Sequence, residues 1–152
     1  MTARSVPTYE DARLVLKLYE LRREEKLRAA REWFTGKFFP SSAADLETLY
    51  GTPGIENTYF RMVTSYWDMT ASFVVRGILN GDLLLDSAAE MLLVWAKVES
   101  HLPQIRGKIV SQAFLSNLER FVGSSAYAQE RLVAARQTVA RLRERALAAA
   151  KA

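Results

Sequence analysis

Apolar residues recur at steps of three and four along most of the chain, which is the period of α-helices that bury one face. A first helical pattern begins at Thr8, where Asp11 three residues later resembles a capping box, and it continues to Gly36. The middle of this segment, RREEKLRAARE, is almost wholly charged. We therefore predict one long first helix whose middle lies largely in water, followed by a connector that holds one short helix.

The central part of the chain predicts an apolar helical hairpin over about residues 56–106. Its first helix, about 56–79, is apolar nearly all round and leaves one narrow polar stripe that includes Asp68. Its second helix, about 86–105, has a polar stripe that includes Glu90 and Lys97. Helices this apolar belong in the centre of a bundle. We expect the aromatic side chains of the hairpin to be core residues: Tyr59, Phe60, Tyr66, Trp67, Phe73 and Trp95.

The last helix is predicted over about residues 125–150, after a serine cap. Its apolar residues follow heptad spacing, but most of them are alanine, so this seam would drive association only weakly. The seam consists of Ala128, Leu132, Ala135, Val139, Leu142, Ala146 and Ala149. A further helix is predicted between Gly107 and Gly123, where KIVSQAFLSNLERFV places its apolar residues on one side. The sequence as a whole predicts an all-α fold: a single-domain helical bundle over 1–152, with about five longer helices and one short one.

The stretch FVVRGILNGDLLLDSAAEM suggests two other structures that its details exclude. Asn80-Gly81 between apolar residues is a β-hairpin signal, but the flanks do not alternate, so we expect the corner of a helical hairpin with Gly81 just past the helix end. Counting from Asp82, an EF-hand needs glycine sixth and glutamate twelfth, where serine and leucine stand. Asp82 or Asp86 is expected to cap the next helix.

Composition limits the possible chemistry. The 152 residues, 49% apolar and 25% charged, suit one globular domain. The chain has no cysteine, which excludes disulfides, thiolate metal ligands and a cysteine nucleophile, and fits a reducing cytoplasm. We find neither a signal peptide nor an apolar run long enough to span a bilayer, so we expect a cytoplasmic protein.

Charge is distributed unevenly. Residues 1–37 hold nine Lys/Arg and six acids, residues 38–107 hold four and eight, and residues 108–152 hold eight and three. Basic ends could contact an acidic partner such as nucleic acid or a membrane surface. Alternatively, they pack beside the acidic middle within the bundle, which we favour because the arginines of the last helix do not cluster on one face.

Few residues are candidates for a reactive site. No phosphate-binding glycine loop or nucleophile elbow occurs, and the single histidine, His101, excludes a di-iron arrangement with paired Glu-x-x-His motifs. We predict no metal and no other cofactor. Asp68, set in an apolar helix, could form a paired-carboxylate site with Glu90 on the neighbouring helix. We favour the alternative, in which both carboxylates face water or satisfy other groups across the bundle.

Three segments resemble a known family: LVLKLYELRREEKLRAAREWF, IENTYFRMVTSYWDMTASFVVRGILNGDLLLD, and Trp95 with QIRGK. Together they resemble uncharacterised bacterial helical proteins that are classed as a domain of unknown function, over about Leu14 to Phe121. The resemblance implies a charged first helix, a Gly-x-Leu/Ile corner and a tryptophan-bearing helix. It implies no activity and no functional residues.

The leading functional hypothesis is a non-enzymatic interaction or scaffold module that binds a protein partner, or itself, through the first or last helix. A nucleic-acid-associated protein that uses its basic terminal helices is the first alternative. A small-ligand sensor or enzyme built around Asp68 and Glu90 is the second.

Overall fold

The computed structural model describes residues 6–152 and confirms the all-α class. The described residues form nine helices and no strand. The helices are α1 (Tyr9–Arg22), α2 (Glu25–Gly36), α3 (Ala43–Gly51), α4 (Ile55–Val75), α5 (Gly81–Ser87), α6 (Glu90–Val98), α7 (Leu102–Ile105), α8 (Ser116–Ser124) and α9 (Ala126–Ala150). Within residues 6–152 no helix combines the length and the apolar character that crossing a membrane requires.

All the described helices contribute side chains to the hydrophobic core, and α4 lies at its centre. It packs against α2 on one side and α8 on another, while α9 packs against α6 and α8. Trp67 and Phe60 of α4 are fully buried, and burial of an aromatic side chain of this size contributes about 2–3 kcal/mol. Of the six aromatic residues predicted as core, Tyr66 and Trp95 are also buried, and the other two are half-buried.

The predicted first helix is two helices. Thr8 and Asp11 form the expected capping box, with the Asp11 amide donating to Thr8 Oγ1 at 3.2 Å and the Thr8 amide donating to Asp11 Oδ2 at 2.7 Å. The chain then breaks after Arg22, because the Glu24 carboxylate accepts hydrogen bonds from the amides of Lys26 and Leu27 and so starts α2. These two bonds lower the pKa of Glu24.

The expectation that the middle of this segment lies largely in water is wrong for Arg22. Its side chain is buried, lies 5.3 Å from the ring centre of Trp67, and donates to the Ser87 carbonyl oxygen at 3.3 Å from each terminal nitrogen. Guanidinium groups stack favourably on aromatic faces, so an arginine can enter this core. Arg22 therefore ties the end of α1 to the end of α5.

The corner at Asn80-Gly81 differs in detail from the prediction. Gly77, with a φ of 71°, takes the left-handed conformation just after α4, whereas Gly81 is the first residue of α5. Asn80 caps α5 by accepting a hydrogen bond from the Leu83 amide at 2.9 Å. A Cβ on Gly81 would lie 2.6 Å from the Phe121 ring, so glycine is needed here for close packing rather than for a positive φ.

The second helix of the predicted hairpin also divides. Residues 81–105 form α5, α6 and α7, and Pro103 lies in the first turn of α7, where a missing amide hydrogen does no harm. Asp82 lies in the first turn of α5 but Asn80 is the cap, and the Asp86 carboxylate accepts from the Tyr127 hydroxyl at 2.9 Å.

The last helix matches its prediction. Ser125 caps it by accepting from the Ala128 amide at 3.0 Å, and the helix runs to Ala150. The first four members of the heptad seam, Ala128, Leu132, Ala135 and Val139, are buried within the chain, where α9 packs against α6 and α8. This part of the seam is therefore occupied by the chain's own helices.

Candidate functional site

Asp68 caps another helix. Its Oδ1 accepts from the amides of Asn117 and Leu118, both at 3.0 Å, and its Oδ2 accepts from the Asn117 side-chain amide at 2.8 Å. These amides belong to the first turn of α8, where a carboxylate also meets the positive end of the helix dipole. Asp68 thus joins the middle of α4 to the start of α8.

Glu90 pairs with an arginine. Arg31 donates from Nε and Nη2 to the two carboxylate oxygens, each at 2.9 Å, in a fork-to-fork arrangement. The Trp67 indole donates to the same carboxylate at 3.4 Å, and the Arg31 Nη1 donates to the Arg22 carbonyl oxygen at 3.0 Å. The hydrogen bond with Glu90 raises the pKa of Arg31. Glu90 therefore connects the start of α6 to α2 and α4.

The described residues give Asp68 and Glu90 separate hydrogen-bond partners. Asp68 faces α8, whereas Glu90 faces α2 and the indole of Trp67. This arrangement matches the alternative in which both carboxylates satisfy groups across the bundle. A ligand site that contains both of them stays a prediction.

Lys97, expected on a polar stripe, is only 4% exposed. Its Nζ donates to the carbonyl oxygens of Phe34 at 2.6 Å, Thr35 at 3.0 Å and Phe38 at 2.8 Å, at the C-terminal end of α2. Burial, together with the nearby Arg143 guanidinium, lowers the pKa of Lys97 to about 7. Lysine is therefore placed here to satisfy carbonyl groups that the end of α2 leaves without partners.

Arginines of α9 contact the chain itself. Arg136 donates to both carboxylate oxygens of Glu99, at 2.7 and 2.9 Å, and Arg143 donates to the Pro40 carbonyl oxygen at 2.7 Å. The first contact joins the basic C-terminal segment to the acidic middle, as the intramolecular alternative expects. It reduces the positive charge available to a nucleic acid.

A cavity of about 460 Å³ opens between the end of α2, α3 and the start of α4. Trp33 lines it and donates from its indole nitrogen to Glu56 at 3.2 Å, while the Asn57 side-chain amide donates to the carbonyl oxygens of Leu49 and Tyr50 at 2.9 and 3.1 Å. The volume lies within the range of small-molecule pockets. Neither Asp68 nor Glu90 lines this cavity.

Helix α1 buries one face and carries large apolar side chains on its exposed side. Its inner face is buried through Leu18 and through the polar Asp11 and Arg22. The exposed side carries Leu16, which is 68% exposed, and Tyr19, which is 50% exposed and whose ring centre lies 5.1 Å from the guanidinium carbon of the buried Arg22. We define the outer stripe of α1 as Tyr9, Ala12, Leu16 and Tyr19, which follow one another at steps of three, four and three. Ala12 is half-buried, and the other three residues are exposed.

Charges of both signs flank the outer stripe. Arg13 lies 3.8 Å from Glu10, and Lys17 donates to Glu20 at 3.0 Å. All four side chains are well exposed, and pairs of this kind contribute about 0–1 kcal/mol, so they are easily rearranged. The stripe thus has an apolar centre and a mixed, adaptable rim.

The fold and the outer stripe define an all-α protein with a solvent-facing apolar surface on its first helix. The chain belongs to the family described as Domain of unknown function (DUF4760), whose model matches residues 7–125 and so spans α1 to α8. This confirms the expectation that the chain belongs to an all-helical family classed as a domain of unknown function. No curated protein and no solved structure matches the chain.

Proposed function

We propose that this protein is a non-enzymatic interaction module, and that the outer stripe of α1 binds an amphipathic helix of a protein. The observation that carries the proposal is the set of large apolar side chains on the exposed side of α1. A helix at the edge of a bundle normally turns charged and polar residues to water. Here Tyr9, Leu16 and Tyr19 occupy that position, with exposed fractions of 82%, 68% and 50%.

The residue types and their spacing support a helical protein partner. Tyrosine is enriched in protein interfaces, and steps of three and four match the knobs that one helix presents to another. The rim pairs Arg13 with Glu10 and Lys17 with Glu20, which suits the mixed charges of a protein better than the uniform charge of a nucleic acid.

The first helix is a better docking surface than the last. The heptad seam of α9 is buried within the chain as far as Val139, whereas the outer stripe of α1 faces solvent. The exposed Leu147 of α9 lies outside this seam, and it serves as a control position because its exposed fraction, 57%, is close to that of Leu16.

Photo-cross-linking from position 16 tests the proposal. The full chain is expressed in its host with benzoylphenylalanine in place of Leu16, or in place of Leu147, and the adduct peptides are sequenced by mass spectrometry after irradiation. We expect a discrete adduct from position 16 that maps to an amphipathic helical segment, and none from position 147. The same adducts from both positions, or none from position 16, would contradict the proposal.

A further inference from the structure

We infer that the helix bound by the outer stripe is α1 of a second copy of this chain, in antiparallel orientation. The inference rests on the proposed function and names the occupant of that same surface. It is carried by the positions of the apolar and charged residues along α1.

The outer stripe has the pattern of a short coiled-coil seam. Tyr9, Ala12, Leu16 and Tyr19 occupy successive a, d, a and d positions, and Arg13 and Glu20 then both occupy e positions. A two-fold axis between antiparallel helices places a residues opposite d residues and e residues beside e residues. One helix can therefore serve as its own partner.

Charge selects the register of this pair. When Leu16 of each copy faces Tyr19 of the other, Arg13 of each copy comes beside Glu20 of the other. Two ion pairs then form between the copies. In the alternative register, Tyr9 faces Tyr19 and the two Arg13 side chains come together, which is unfavourable. The first register buries Leu16 and Tyr19 of each copy and matches the charges of the rim, whereas Tyr9 and Ala12 then face positions beyond the end of α1.

Arg13 and Glu20 can leave their partners within α1 and form ion pairs between the two copies. Within residues 6–152, the ion pairs of Arg13 and Glu20 are with their own helix neighbours, Glu10 and Lys17, and both pairs are well exposed. A contact confined to one helix of 14 residues from each copy lies at the small end of protein interfaces. We therefore expect a weak dimer, with a dissociation constant on the order of micromolar.

Charge-swap variants test the inference in the full chain. Sedimentation equilibrium is measured at low salt for the wild type, for Arg13→Glu and Glu20→Arg singly, for the double swap, and for an equimolar mixture of the two single variants. We expect each single variant to dimerise at least about tenfold more weakly than the wild type, because both intermolecular pairs become repulsive.

The mixture and the double swap distinguish this contact from general damage. An equimolar mixture of Arg13→Glu and Glu20→Arg restores opposite charges in both pairs, so we expect a heterodimer as tight as the wild-type dimer. The double swap should again form a homodimer. Circular dichroism establishes that each variant remains helical.

Failure of this inference differs from failure of the proposed function. Two results would contradict a second copy as the occupant: a wild type that stays monomeric at the highest concentration measured, or a mixture that dimerises no more tightly than the single variants do. If position 16 then cross-links to a different protein, the proposed docking function is retained, and that protein is the partner of the outer stripe. A monomer that also yields no adduct from position 16 would overturn both.

Discussion

Replacing Glu90 by alanine is expected to lower the free energy of unfolding by about 3 kcal/mol, measured by urea denaturation. The carboxylate holds Arg31 by two bonds of 2.9 Å and lies near Arg22, which is buried against Trp67. The Glu90 and Arg31 side chains are only 20% and 24% exposed. Alanine at position 90 would therefore leave two poorly solvated guanidinium groups without the carboxylate that compensates them.

Glu99→Ala is the matched control for this substitution. Glu99 accepts two bonds from Arg136 at similar distances and directly follows α6, but the Arg136 side chain is 51% exposed. We expect a loss of about 1 kcal/mol or less, because water solvates the released arginine. If Glu90→Ala lost no more stability than Glu99→Ala, the structural role of Glu90 would be wrong and a ligand role would gain support.

When the pH rises from about 6.5 to about 8.5, the free energy of unfolding of the wild-type protein is expected to rise by about 2 kcal/mol more than that of Lys97→Met. The pKa of Lys97 falls from 10.5 in a solvated chain to about 7 in the fold. Between these two values the unfolded chain carries a proton that the folded chain lacks. Raising the pH therefore favours the folded state by about 1.4 kcal/mol per pH unit within this window. Below this pH window Lys97 is protonated in both the folded and the unfolded chain, so its contribution to stability does not change with pH.

Urea denaturation of both proteins at the two pH values checks this expectation. Lys97→Met removes the titration of residue 97 while every other ionisable group remains, so the difference between the proteins isolates this lysine. Lys108→Met, which changes an exposed lysine that pairs with Glu47, should keep the wild-type pH dependence. Parallel stability curves for the wild type and Lys97→Met would show that Lys97 keeps an ordinary pKa.

Features determined by local spacing were predicted well from the sequence. The capping box at Thr8 depends on residues three apart, and α9 depends on a regular heptad followed from its serine cap. The all-α class follows from the same periodicity. The break at Glu24 was missed, because the charged run around it contains no glycine or proline and a glutamate rarely caps a helix by itself.

Features determined by distant partners were not predicted. Lys97 looked like part of a polar stripe because the carbonyl groups that receive it, near Phe34, lie 63 residues earlier in the chain. For Asp68 the sequence favoured a carboxylate that faces water or satisfies other groups, but it did not identify the helix start that Asp68 caps, which is 49 residues away. The outer stripe of α1 could have been predicted from the sequence. Leu16 and Tyr19 follow Tyr9 and Ala12 at helical spacing, as a second set of apolar positions beside the residues that face the core.

Hydroxyl-radical footprinting tests the central claim, that the outer stripe of α1 is a docking surface, most directly. Side-chain oxidation is compared between the protein in its host lysate and the purified chain diluted far below the micromolar range. We predict that Leu16 and Tyr19 are oxidised severalfold less in the lysate, while the exposed Val133 and Leu147 of α9 react equally in both samples. Equal oxidation of Leu16 and Tyr19 in the two samples would contradict the account.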